Sequence, residues 1–247
     1  YRHDPLIRPT LKAATFLIVF MVAAGTLSYL VVSTNARLID ATLAAWDHAL
    51  GFDWLQFASW LQAHPGLGAA LHVAYASGLP QIVFVVLFLG FGNRTAQLHT
   101  FLRLFVLATL ATVLLSGLFP AAGTAKYFAP AAPVTDIVAS LSHFEPLRDG
   151  RMRDIPLGLT QGLISFPSLH VTLAVLLVHA MRGTVLLPAF AVLDAAMIVS
   201  TPVCGGHYLV DVLAGALLAG ALIALQLRRA GDARAAQAPA RLQTSPR

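Results

Sequence analysis

His207 and Asp211 stand four residues apart in Cys204-Gly205-Gly206-His207-Tyr208-Leu209-Val210-Asp211. On a helix this spacing places both on one face, within hydrogen-bond reach. A carboxylate bonded to one imidazole nitrogen fixes the tautomer and makes the other nitrogen a better base or nucleophile. The glycine pair lets backbone or substrate approach closely, which makes Gly206 a candidate contact for a bound anion. Asp211 falls inside an apolar stretch. There a carboxylate costs about 2.5–3.5 kcal/mol on insertion scales and marks a functional position by default. A structural His–Asp pair bracing a helix bundle is the alternative.

A second histidine closes Ser165-Phe166-Pro167-Ser168-Leu169-His170. Ser165 is placed to cap a helix N-terminus, with Pro167 in its first turn. Free N–H groups and the positive end of the helix dipole attract a phosphate there. His170 stands beside that anion site. Alone, such a stretch is more often a satisfied histidine at a membrane interface. Together the two stretches suit phosphoryl transfer through a phosphohistidine: one histidine attacks, the other protonates the leaving oxygen, and the carboxylate orients the attacker.

The elements that must position these residues follow from composition. Hydrophobic residues make up 57% of the 247 and charged residues 11%, with a mean hydropathy of +0.75. Soluble domains carry about 25% charged residues, so too few are present to cover a water-facing surface. The same composition excludes disorder. One cysteine, Cys204, excludes a disulfide framework and a multi-cysteine metal cage. The expectation is an all-α integral membrane six-helix bundle in one domain over 1–227. Its spans fall at about 13–32, 69–90, 101–119, 167–181, 184–201 and 208–227. The stretch 228–247 is expected as a disordered tail.

Six spans put both termini on one side. Only Arg37, Lys126, Arg148, Arg151 and Arg153 of the 16 Lys and Arg then fall on the other side. The positive-inside rule makes the termini cytoplasmic and the site outward-facing, in the cell inner (plasma) membrane. The net charge of +5 is thereby accounted for without nucleic acid; the expected partners are the bilayer and a membrane lipid. The first outer segment, 33–66, holds Trp46, Trp54 and Trp60. Leu43, Trp46, Leu50, Trp54, Phe57, Trp60 and Leu61 recur at helical spacing. That predicts one or two amphipathic helices lying in the interface, or a helical cap over the bundle. The second outer segment, 120–166, is long enough to be functional. Asp194, within the fifth span, needs a partner, with His72 or His179 as candidates.

Pro167-Ser168-x-His170 and Ser200-x6-His207-x3-Asp211 resemble the second and third motifs of the type 2 phosphatidic acid phosphatase superfamily. FPSLH and GGHYLVD are most similar to the branch with inositol phosphorylceramide synthases and related bacterial proteins. The resemblance covers about 120–220 by motif. It implies a six-helix membrane enzyme acting on lipid phosphates without metal or other cofactor. His207 is then the nucleophile, His170 the general acid, Asp211 the orienting carboxylate, and Ser168 a phosphate-binding hydroxyl.

Two positions depart from the family pattern. Its first motif is K-x6-R-P; here Lys126 stands in GTAKYFAPAAP, with Pro133 where the arginine belongs. Thr201 replaces the arginine after Ser200. Arginine clamps phosphate through two parallel bonds, so the loss bears on the substrate. Lys126, Arg148, Arg151 and Arg153 lie on the same side as possible replacements. The alternative for the loop arginines is a solvated run interleaved with Asp149 and Asp154. A phosphodiester is a monoanion and needs fewer cations than a monoester dianion, which favours headgroup transfer from a phospholipid. A lipid phosphate phosphatase is the alternative; a transporter proton relay or an inactive scaffold is more distant. A relay would place these residues near the midplane, with helix breaks there, whereas here they gather at one face.

Overall fold

The structure is a computed structural model describing residues 6–129, 142–155 and 160–237, with 233–237 as backbone only. Eleven helices follow one another among these residues, and no strand. They are α1 (Ile7–Ser33), α2 (Asp40–Ala49), α3 (Trp54–Gln62), α4 (Pro65–Ala76), α5 (Gly78–Phe91), α6 (Thr95–Leu118), α7 (Thr124–Tyr127), α8 (Phe144–Arg148), α9 (Leu169–Ala180), α10 (Leu187–Cys204) and α11 (Leu209–Gln237).

Four of them, α1, α6, α10 and α11, are long and apolar enough to cross a bilayer, and α4 with α5 passes the same test as one bent pair. The chain is a multi-pass membrane protein. The expected stretch 69–90 starts earlier, at Pro65, and breaks at Ser77 with a 46° bend. Pro80 gives the reason, since it has no N–H to offer the carbonyl four residues back. The expected span 167–181 is a helix of 12 residues. At 1.5 Å per residue it is about 18 Å long, too short for a hydrocarbon core of about 30 Å. Among the described residues, four spans pass by length and apolarity, or five with the bent pair counted as one.

The shortness of α9 has a packing explanation. It is the central helix, in contact with α5, α6, α10 and α11. Val171, Leu173, Ala174, Leu176 and Leu177 are all buried, the last four in one cluster with Val85, Leu89, Phe101, Phe105 and Met197. Non-helical backbone before it is tolerated at depth because protein, not lipid, surrounds it. Gly215 of α11 lets the two site helices meet: a Cβ there would lie 2.5 Å from the Ser168 carbonyl oxygen. Thr172 Oγ1 donates to the Gly215 carbonyl across the same contact, at 3.0 Å.

One expected boundary needs correction. Helix α11 continues past 227 to Gln237, because the Ala- and Arg-rich sequence there favours helix; 238–247 lie outside the described residues. In the first outer segment the helices are α2 and α3, but the buried face of α2 is Asp40, Leu43 and Asp47. Trp46 and Leu50, read from spacing as part of one apolar stripe, are 52% and 56% exposed. Trp54 anchors α3 to the rest of the protein. It is buried, stacked on Phe128 at 5.6 Å, and its Nε1 donates to the Pro202 carbonyl at 2.7 Å.

Candidate active site

The N-terminal ends of α9 and α11 and the C-terminal end of α10 meet at one place. Helix α9 starts where it does because Ser168 caps it, its Oγ accepting from Val171 N at 3.4 Å. Ser165 is therefore not the cap, and Pro167 precedes the helix. Ser165 instead donates to Asp211 Oδ2 at 2.7 Å. The 160–168 segment is pinned at both ends: Gln161 N donates to Tyr29 Oη at 2.8 Å, and Ser168 N to the Asp211 carbonyl at 3.1 Å.

Asp211 is fully buried. Its Oδ2 accepts from Ser165, from Tyr208 N at 2.9 Å and from His207 Nδ1 at 3.3 Å. A carboxylate can only accept, so the His207 proton sits on Nδ1. The Nε2 lone pair is then the free one. It faces Ser168 Oγ at 3.5 Å, the long end of hydrogen-bond distance. His207 is 3% exposed and Ser168 fully buried. The reactive nitrogen thus points at the N-terminus of α9, where N–H groups gather around an anion. His170, one residue into α9, lies beside Tyr75, whose Oη and His207 Cδ2 would both lie within 3 Å of a Cβ placed on Gly205.

Not every candidate joins this group. Lys126 pairs with Glu145 and lies over the Phe144 ring. Burial, and then Arg148 nearby, hold its ammonium below the usual lysine range. Arg148 donates to the Ala36 carbonyl at 2.7 Å. Arg151 pairs with Asp149 through side chain and backbone, and Arg153 is exposed. Among the described residues, no Arg or Lys bonds to His207, His170, Ser168 or Asp211. Thr201 is buried with its hydroxyl turned back to the Met197 carbonyl at 2.7 Å. Pro133 lies outside the described residues. Gly206 adopts φ +65°, and its carbonyl accepts from Thr124 N at 2.8 Å, which ties the 120s to the site. No group of three or more His, Cys, Asp or Glu among the described residues is placed to hold a metal ion.

Spacing alone did not reveal three residues. Tyr75 of α4 meets His170, with Oη 3.2 Å from Nδ1. Asp40 accepts from Ala122 N, Gly123 N and Tyr208 Oη, all within 3.0 Å. Asp47 accepts from Leu209 N and Val210 N at 2.8 and 2.9 Å, so α2 supplies the cap of α11. Burial pushes the Asp47 carboxyl up, against these two donors, which pull it down. The available signal was the seven-residue spacing of the two acids, two helical turns on one face. Asp194 is also buried, beside Gln81, and not paired with His72 or His179.

Asp47→Ala removes the cap of the helix that carries Asp211. The expected cost is about 1 kcal/mol, up to ~2, read as a lower thermal midpoint in detergent together with reduced turnover. An unchanged midpoint and turnover would show that water replaces the carboxylate.

Comparison with known families gives one match: the sequence profile described as the PAP2 superfamily aligns with residues 41–225. No curated protein and no solved structure matches.

Proposed function

Because the chain belongs to the PAP2 superfamily, we propose that it is a lipid phosphotransferase working through a phosphohistidine on His207. Membership carries phosphatase- or phosphotransferase-type chemistry in general; the covalent intermediate, the lipid and the transfer step are the reading made here. The observation that carries it is the line Asp211–His207–Ser168. It puts a proton on Nδ1 and turns the Nε2 lone pair toward the helix end that attracts anions. In the first half-reaction Nε2 attacks phosphorus and the bond to the leaving alkoxide breaks. His170 gives that oxygen its proton. In the second half-reaction an acceptor hydroxyl, having lost its proton to His170, displaces His207.

The choice of a diester donor rests on charge. Thr201 spends its hydroxyl on Met197, and Lys126, Arg148 and Arg151 are engaged elsewhere. A monoanion fits such a site better than a dianion. The excess of Lys and Arg on the side of the termini supports a cytoplasmic location for both ends and an outward-facing site in the plasma membrane.

The test is product identity. Purified protein receives a phospholipid donor or phosphatidic acid, with and without a hydroxyl acceptor, and products are read by mass spectrometry. Transfer of the headgroup phosphate to the acceptor is expected. Release of inorganic phosphate from phosphatidic acid with no transfer would make the protein a lipid phosphate phosphatase.

A further inference from the structure

The two histidines have different partners, and the difference sorts their work. His207 faces a buried carboxylate. His170 faces Tyr75, a neutral phenol: Oη lies 3.2 Å from Nδ1, and the rings stack at 4.2 Å with 21° between planes. We infer that Tyr75 is the positioning residue of the acid, holding the His170 ring so that Nε2 alone exchanges its proton with the substrate. This inference rests on His170 being the acid.

The physical chemistry runs from the bond. In imidazolium both ring nitrogens carry hydrogen. The phenol oxygen accepts from Nδ1–H and keeps that proton on the ring. The proton released to the leaving alkoxide is then the one on Nε2. The neutral ring that remains has its lone pair on Nε2, ready to take a proton from the incoming hydroxyl, so one orientation serves both half-reactions. A carboxylate in this place would strengthen the ring as a base and oppose release, whereas a phenol adds no charge. Stacking on the phenol face also suits a transient cation.

The surroundings are shaped for this contact. Tyr75 is the penultimate residue of α4, two residues before the break at Ser77. A straight α4–α5 helix would carry it on a different course past α9. Gly205 leaves the space the hydroxyl occupies: a Cβ there would lie 2.9 Å from Tyr75 Oη and 2.6 Å from His207 Cδ2. One glycine therefore accommodates the acid's partner and the nucleophile together.

The experiment compares Tyr75→Phe, His170→Ala and the double variant on a lipid substrate and on an activated aryl phosphate, whose leaving group needs little protonation. Tyr75→Phe keeps the ring and removes the acceptor. The expected result is a kcat about tenfold lower on the lipid, KM unchanged, and a near-normal burst of aryloxide release from the aryl phosphate, since only the first half-reaction differs between the substrates; the loss is a part of the 10²–10⁴-fold that a positioned acid contributes. In the His170→Ala background the same change should cost nothing more. Equal losses on both substrates, a rise in KM alone, an additive loss in the double variant, or no loss at all would overturn the role of Tyr75. The aryloxide burst also reports folding. If His170→Ala itself keeps full lipid turnover, the assignment of the acid fails first, and the inference with it. If only Tyr75→Phe is silent, the acid stands and Tyr75 falls.

Discussion

His207→Ala is expected to abolish turnover of every phosphate ester the enzyme accepts while leaving the protein folded. The nitrogen lost is the only one in the site with a fixed tautomer and a lone pair aimed at the capped end of α9. Without it no covalent intermediate can form, and water has no carboxylate-oriented base to replace it. Asp211→Asn is more informative. The amide can still accept from Ser165 and Tyr208 N, so the local fold is kept. It no longer stabilises the positive charge that develops on His207, and its NH2 can turn the ring to the wrong tautomer. The expected loss in kcat is on the order of 10⁴-fold, as when the orienting aspartate of a catalytic triad is made an amide. Radiolabelled phosphate retained on acid-sensitive, base-stable linkage in wild type and absent from His207→Ala is the direct measurement. Near-normal turnover in His207→Ala would end the phosphohistidine mechanism.

His170→Ala gives a loss that depends on the leaving group. A lipid alkoxide is a poor one and needs its proton as the bond breaks, so a loss of roughly 10²–10⁴-fold is expected there. Aryloxide release from an activated aryl phosphate should slow less than about tenfold. The ratio of the two losses is the quantity to measure, by leaving-group release in the first turnover on matched substrates. Equal losses would mean that His170 binds phosphate and delivers no proton.

The helical class, the membrane setting and the superfamily were legible because they depend on local information: apolar runs, and histidines at fixed distances from Ser168 and Asp211. The length of α9 was not. An apolar window cannot tell a helix that meets lipid from one enclosed by four others, so 167–181 reads as a span although only 12 residues are helical. The break at Ser77 was written in Pro80, inside a hydrophobic run that reads as continuous. The side that α2 buries was not legible either. Its apolar spacing left an interfacial helix and a helical cap both open; Trp46 and Leu50 face out, because Asp40 and Asp47 turn the other side toward backbone amides far along the chain. A carboxylate whose donors are main-chain N–H groups leaves no trace in residue type. Tyr75 was hidden in the same way, since a tyrosine in an apolar helix looks like packing until its partner is seen.

Asp40 and Asp47 accept from residues as many as 168 and 163 positions downstream. On a ribosome this separation is also a delay. Both acids are made long before the amides of Leu209 and Val210, and the loop-closure cost of joining two segments grows with their separation. A nascent chain halted before His207 therefore holds an Asp47 without its donors, an Asp40 without the Tyr208 hydroxyl and a His170 without the proposed nucleophile. The stretch from His207 to Val210 supplies all three together, so the proposed chemistry has to wait for the start of α11.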